Sequence, residues 1–267
     1  MCLIAIAWRA HPSHRLIVAA NRDEYFGRPS APAYFWDDHR GVLAGRDLEA
    51  GGTWLGITLK GRFAALTNYR NPADRKTGVP SRGALVSDFL TGDAGPAEYV
   101  KRIHKAGTGY NGFSLLVGDE RSLWFFSNRG TLPQRVAPGV HGLSNHLLDT
   151  PWPKVEKAKA RLAAQLEAPF DAAAAFALLS DTQRAPSKEL PSTGVSLELE
   201  ERLSAIRILA SGGYGTRCSR RCSNARASAR CRARCSMRRS RRPGSTGSSV
   251  SASVEKSSSR RGFPTSR

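Results

Sequence analysis

Short apolar runs separated by turn residues dominate the first half of the chain. Residues 3–8 and 16–20 lie on either side of His11-Pro12-Ser13-His14, a pattern that predicts a hairpin with its loop at the histidines. Residues 54–59 and 62–67 flank Lys60-Gly61, and residues 113–117 and 122–127 flank a four-residue turn, in the same way. The first half is therefore expected to form antiparallel strand pairs, without the regular strand–helix alternation of a doubly wound sheet.

Helical patterns interrupt and then follow these strands. Ser81 is placed to cap a helix at 83–90, and Pro96 lies where the first turn of a helix at 97–105 would begin. In residues 154–167 apolar side chains recur at helical spacing, and 172–179 is a further helical segment. A last apolar run at 206–209 predicts a return to strand. Strands followed by helices and a closing strand predict an α+β fold.

Composition divides the 267 residues into two regions. The formal net charge is +19, but residues 218–267 hold 13 Arg, one Lys and one Glu, which leaves +6 for residues 1–217. The last 50 residues also contain 14 Ser and few large apolar side chains, too few to offset the entropy of ordering them. We therefore predict one domain at 1–217 and a disordered, low-complexity basic tail at 218–267.

The tail contains a possible metal site and a possible nucleic-acid-binding segment, and its sequence argues against both as specific functions. Cys218, Cys222, Cys231 and Cys235 have a spacing that resembles a zinc site, but neighbouring arginines, the lack of histidine and the lack of apolar support oppose one. We therefore expect no metal and no cofactor. Nucleic acid is expected to bind at most non-specifically through the arginines. Out-of-frame reading of a GC-rich gene also explains this composition.

Cys2 is the residue with the most distinctive chemistry. Removal of Met1 would give it a free α-amine beside its thiol, and an N-terminal amine can act as the general base for its own side chain. The alternative is a small buried hydrophobe that opens a strand, as free cysteines often are. Residues 1–217 hold no second cysteine, so no disulfide can form within them. We expect a cytoplasmic protein without a membrane span, since no stretch approaches the ~20 apolar residues that one needs.

Eight short motifs follow one another along the chain. They are Cys2-Leu3-Ile4, Ala19-Ala20-Asn21-Arg22-Asp23-Glu24, Ala44-Gly45-Arg46-Asp47, Gly51-Gly52-Thr53-Trp54-Leu55-Gly56, Leu66-Thr67-Asn68-Tyr69-Arg70, Ser127-Asn128-Arg129-Gly130, Gly142-Leu143-Ser144-Asn145 and Tyr214-Gly215-Thr216-Arg217. In this order they resemble the NRDE family, the group that includes the transport and Golgi organisation protein 2 relatives. The resemblance extends from Met1 to about Arg217.

This family resembles the N-terminal-nucleophile hydrolases, and the resemblance implies an αββα sandwich. Relatives should continue beyond Arg217 with apolar strands, so we expect this chain to lack its terminal strands. The order of six residues is similar to that of choloylglycine-hydrolase-type enzymes. These are Cys2, Arg22, Asp23, Asn68, Asn145 and Arg217.

The implied reaction is hydrolysis of a linear, non-peptide amide. Cys2 would attack the carbonyl, Arg22 would favour the thiolate, Asp23 would orient the amine, and Asn68 and Asn145 would hold the oxyanion. The structural alternatives are an ion pair at a strand end for Arg22 and Asp23, and turn residues for the asparagines. The functional alternatives are a non-catalytic protein of Golgi organisation, lipid homeostasis or haem trafficking, with a lipid-like or haem-like ligand, and an inactive frameshifted product.

Overall fold

Two antiparallel sheets lie between helices in this computed structural model, which describes residues 2–106, 109–130, 132–209 and, for the backbone, 214–216. The described strands are β1 (Cys2–Trp8), β2 (Leu16–Tyr25), β3 (Ser30–Phe35), β4 (Val42–Asp47), β5 (Leu55–Thr58), β6 (Phe63–Asn68), β7 (Phe113–Gly118), β8 (Leu123–Ser127), β9 (Gln134–Arg135), β10 (Gly139–Leu143) and β11 (Tyr214–Thr216). The described α-helices are α1 (Gly83–Thr91), α2 (Pro96–Ala106), α3 (Pro153–Ala164), α4 (Ala172–Leu179) and α5 (Leu197–Leu203).

The smaller sheet has the strand order β10-β1-β2-β11 and the larger one runs from β3 to β9 in sequence order. β1 is central to the smaller sheet, and every one of its residues is buried. Its unbroken apolar sequence has a simple cause, because one face packs on helices and the other on the second sheet. Leu3, Ala5 and Ala7 contact the side chains of α3 and α4, while Ile4 and Ile6 pack against the larger sheet.

The outer face of the larger sheet is covered by the other two long helices. Leu85 and Phe89 of α1 and Tyr99 of α2 pack in one cluster with Leu115 of β7 and Phe126 of β8. The order of layers is therefore helices, sheet, sheet, helices. This confirms the α+β prediction and the αββα sandwich that the family resemblance implied.

The predicted hairpins are also present. β1 pairs with β2 in the register Trp8↔Leu16 to Cys2↔Arg22, with its loop at the histidines. β5 pairs with β6 around Gly61, whose φ of +78° is a left-handed conformation that favours glycine. β7 pairs with β8. The helix predictions at 83–90, 97–105 and 172–179 are confirmed within one residue of their ends, while α3 ends at Ala164, three residues earlier than predicted.

One prediction about the fold was wrong. Residues 206–209 form no strand; Ile206 packs as a loop residue against α3 and the helix-facing side of β1. An isolated apolar run fits a buried loop as well as a strand, which is why the pattern misled. The expectations of a disordered tail and of absent terminal strands concern residues 218–267, which lie outside the described residues. Within the described residues, no helix is both long enough and apolar enough to cross a bilayer.

Candidate active site

Cys2 is the first residue of β1, and its side chain is buried, with 9% of its surface exposed. Antiparallel pairing places it directly opposite Arg22 of β2, so both side chains lie on the same face of the sheet. That face is the one turned towards the larger sheet, because Ile4 and Ile6 point there from the same strand. The hairpin therefore places Arg22, with its guanidinium, at the position directly opposite Cys2.

Arg22 is not dedicated to the thiol alone. Its Nη2 lies 3.3 Å from Glu24 Oε2 and 3.6 Å from Asp47 Oδ2. Asp47 belongs to β4 and also pairs with Arg28 at 2.7 Å. Arg22 thus connects the two sheets, and part of its charge is balanced by these two carboxylates.

Opposing influences act on the Cys2 thiol. Burial raises its pKa most, and the negative charge of Asp23 raises it further. The positive charges of the amino terminus and Arg22, together with a hydrogen bond from the Asp23 backbone, lower the pKa. The net shift is upward, so the thiol at rest is protonated near neutral pH, and a base is needed to generate the nucleophile.

Asn145 connects three parts of the site. Its Oδ1 accepts a hydrogen bond of 3.2 Å from the Cys2 backbone nitrogen, and its Nδ2 donates to the backbone oxygen of Asn68 at 2.9 Å. The neighbouring Ser144 donates from its hydroxyl to the Cys2 backbone oxygen at 3.0 Å. Asn145 is almost wholly buried. This geometry suits an anchor for the Cys2 nitrogen better than the oxyanion donor that the sequence predicted.

Asn68 is placed differently from Asn145. It ends β6, its side chain is exposed, and its backbone oxygen receives the Asn145 amide. The structure therefore brings the two predicted asparagines together but gives them unlike environments. An exposed carboxamide next to a buried one is available to a bound molecule.

Asp23 and Arg22 lie on opposite faces of β2. Asp23 is 4% exposed and points, like Asn21, towards the helical layer, where Asn21 Nδ2 donates to the backbone oxygens of Leu179 and Ile206. Strand alternation therefore places one charge on each face of the β1–β2 pair.

Arg217, the last predicted member, lies outside the described residues. β11 nevertheless approaches the site up to the preceding residue, because Thr216 pairs with Asp23. Among the described residues no group of three or more His, Cys, Asp or Glu side chains is arranged to hold a metal ion. The four tail cysteines lie outside them.

Sequence reasoning missed a group of buried charges beside this site. Lys154 is 2% exposed, and Arg70 forms an ion pair with Glu200 in which both side chains are buried. Burial lowers the pKa of Lys154 to about 8 and that of Arg70 to about 10. A signal was available in the sequence: Lys154 lies four residues before Ala158 on the apolar stripe of α3, where a charged residue is unexpected.

The fold and this constellation define an αββα protein with a cysteine at the start of a central strand. The chain belongs to the family described as "Transport and Golgi organisation 2", whose model matches residues 1–222.

Several known proteins are similar to the chain. It is 43% identical over 168 residues to the transport and Golgi organization protein 2 homolog of Bos taurus, an alignment that covers 58% of this chain and 60% of the relative. The Homo sapiens homolog is 42% identical over the same length and coverage. The chain thus spans about 60% of the length of these curated relatives.

A solved structure with a similar arrangement is the Caenorhabditis elegans N-acylethanolamine-hydrolyzing acid amidase ortholog. It has a TM-score of 0.44 and 11% sequence identity, and the match covers 67% of this chain and 86% of that one.

Proposed function

We propose that this protein is an amidohydrolase of the N-terminal-nucleophile type that cleaves a linear, non-peptide amide through Cys2. The observation that carries the proposal is the 3.2 Å hydrogen bond from the Cys2 backbone nitrogen to Asn145 Oδ1. Once Met1 is removed, that nitrogen is an α-amine beside the thiol. A fixed amine next to a buried thiol is the arrangement that self-activation of an N-terminal nucleophile needs.

The reaction begins with the transfer of the thiol proton to the α-amine. The sulfur attacks the amide carbon, the carbonyl oxygen becomes an oxyanion, and the C–N bond then breaks as the ammonium returns a proton to the leaving amine. Water, deprotonated by the same amine, attacks the thioester and releases the acid and the free thiol. The amine thus accepts each proton that leaves the thiol or the water, and it returns that proton to the leaving amine or to the released thiolate.

The other residues take supporting roles in this proposal. Asn145 anchors the amine, and the exposed side chain of Asn68 donates to the oxyanion. Arg22 favours the thiolate from the same face of the sheet as Cys2, while Asp23 orients the amine from the opposite face. Arg217 remains a proposed member on the basis of the motif that it ends.

The test combines the state of the N-terminus with the chemistry of the thiol. Intact-mass measurement should show a chain without Met1. Cys2→Ala should abolish turnover of a panel of chromogenic linear amides with the fold retained by circular dichroism. Alkylation of the tryptic peptide 2–9 by iodoacetamide should parallel the loss of activity. A chain that retains Met1, or an active Cys2→Ala variant, would contradict the proposal.

A non-catalytic role in Golgi organisation, lipid homeostasis or haem trafficking is the second candidate. Two observations favour a non-catalytic role: the relatives are named for transport and Golgi organisation, and burial raises the pKa of the Cys2 thiol. A buried, protonated cysteine also fits a purely structural strand residue. Binding of a fatty-acid or haem probe that is unchanged in Cys2→Ala, together with absent amide turnover, would select this candidate.

A further inference from the structure

A small cavity lies beside the first turn of α3. Its volume is about 10 Å³, on the measure by which one water molecule needs about 10–15 Å³, so it suits a single species of about that size. The residues that line it include Arg70, Trp152, Pro153, Lys154, Glu200 and Leu203. The backbone nitrogen of Arg70 donates to the backbone oxygen of Asn145 at 2.8 Å, so the cavity adjoins the segment that anchors Cys2.

Lys154 supplies a buried positive charge at this cavity. It is 2% exposed, and its ammonium donates a hydrogen bond of 2.9 Å to the backbone oxygen of Leu203, a residue of the same lining. In the described part of the chain this is the one hydrogen bond of the ammonium, and no carboxylate forms an ion pair with it. An ammonium can donate three hydrogen bonds, and burying donors without acceptors is costly. Two N–H groups therefore remain for a species in the cavity.

The start of α3 adds to the positive potential. Trp152 is the N-cap residue, Pro153 follows it in the first turn, and no described side chain caps this end of the 12-residue helix. The unpaired N–H groups of a first helical turn carry a partial positive charge, which attracts anions and disfavours cations. Lys154 adds a full charge in the same turn. A negative partner in the cavity would offset both.

The other two charged side chains of the lining offset each other. Arg70 and Glu200 form a buried ion pair, and Glu200 also accepts from the backbone nitrogen of Thr193 at 3.1 Å. Asp23 lies outside the lining and raises the pKa of Lys154 by its charge, but such an influence accepts no hydrogen bond from the ammonium. The lining therefore carries one positive charge in excess, which a single monovalent anion would balance.

We propose that this cavity binds one small monovalent anion, such as chloride, held by the Lys154 ammonium at the N-terminus of α3. The anion accepts N–H groups that Leu203 leaves unused and interacts favourably with the helix dipole. A water molecule accepts the same hydrogen bonds without balancing the charge. The experiment therefore has to distinguish an anion from a water. The site does not depend on the proposed amide hydrolysis.

Thermal melting at pH 7 provides the first measurement. Sodium chloride replaces sodium gluconate stepwise at constant ionic strength, because gluconate is too large for the cavity. An anion that binds only the folded chain stabilises it by mass action, so the melting temperature should rise and saturate. The rise should reach about 3–6 °C when chloride is at about ten times its dissociation constant. Bromide should act in the same way.

Two lysine variants show where the anion acts. Lys154→Met keeps the length of the side chain and removes the charge, so the saturable rise should disappear. Lys157→Met, one turn further along α3 in a partly exposed ion pair with Asp181, should keep it. Chloride that associates with arginines elsewhere acts on both variants alike. No rise in the unmodified protein, or an equal rise in Lys154→Met, would overturn the proposal.

Bromide in crystals of the unmodified protein provides the second measurement, which also decides the matter if Lys154→Met does not fold. Anomalous scattering should show a peak beside Lys154 Nζ, together with the saturable rise in melting temperature. A water at that place would overturn the proposal, and so would a peak without the rise, which is an adventitious ion only. None of these measurements uses amide turnover, so their outcome and that of the search for amidase activity are judged separately.

Discussion

The backbone nitrogen of Cys2 donates a hydrogen bond to Asn145 Oδ1 across 143 positions of sequence. Asn145 reaches this position because β10 pairs with β1 in the register Leu143↔Ile4, so the chain that leaves β10 passes the first residue of β1. The same side chain holds the end of β6 through Asn68. One carboxamide thereby fixes the candidate nucleophile relative to both sheets.

Asn145→Ala should destabilise the fold, because it leaves the Cys2 nitrogen and the Asn68 oxygen without this buried partner. We expect a loss of about 1–3 kcal/mol in the free energy of unfolding, measured in urea. Asn68→Ala is the matched control, since its side chain is exposed and should change stability by less than about 0.5 kcal/mol. Both variants should lose amidase activity if the proposed roles hold, and an active Asn68→Ala variant would remove that residue from the oxyanion site.

Arg22→Gln should slow the alkylation of Cys2. The guanidinium lowers the pKa of the thiol. Removing the guanidinium therefore raises that pKa and reduces the fraction of thiolate at any pH below the pKa. The rate at pH 7.5 should fall about tenfold for each unit of the shift. The measurement is the pH profile of iodoacetamide incorporation into peptide 2–9. Arg46→Gln, whose ion pair with Asp38 lies on the other sheet, should leave the profile unchanged.

Asp23→Asn should lower turnover more than it lowers the melting temperature, because its proposed role is to act on the Cys2 amine. Turnover of the same amide panel and thermal melting are compared in one preparation. Equal losses in the two measurements would make Asp23 structural and remove it from the site.

Arg70→Met should be among the most destabilising charge substitutions outside the Cys2 strand. It leaves Glu200, which is 3% exposed, as an uncompensated buried carboxylate, at a cost of about 3–5 kcal/mol. Arg129→Met breaks the partly exposed ion pair with Asp74 and should cost at most about 1 kcal/mol. Urea unfolding of the two variants provides the comparison. Similar losses would show that Glu200 is compensated by other groups.

His141 should make stability depend on pH in a defined direction. Its hydrogen bond to Asp149 raises the histidine pKa, so the contribution is complete below the unfolded value near 6.5 and is lost as the pH rises through the folded value. His141→Gln should therefore lower the melting temperature more at pH 5.5 than at pH 9. The exposed His39→Gln is the control, and a pH-independent effect of His141→Gln would contradict this assignment.

Local pattern determined much of the fold. The three predicted hairpins and the helices around Leu85, Tyr99 and Ala158 depend on neighbours in sequence, on turn residues and on apolar spacing, so they could be predicted from the chain alone. The pairing of Cys2 with Arg22 belongs to this group, because a hairpin of known loop position has few possible registers. Strand alternation also implied that Arg22 and Asp23 point in opposite directions, although the prediction did not use it.

Long-range packing decided the rest of the candidate site. Whether Asn145 anchors the Cys2 nitrogen depends on how β10 meets β1, and no local pattern encodes a contact across 143 positions. Lys154 lies beside the site because α3 packs over the smaller sheet and its first turn meets the end of α5, where the backbone oxygen of Leu203 accepts from the lysine. A buried charge is stabilised by groups from several distant elements at once. The sequence therefore determined which chemical groups this protein has, and only the tertiary structure decided which of them share one low-dielectric space.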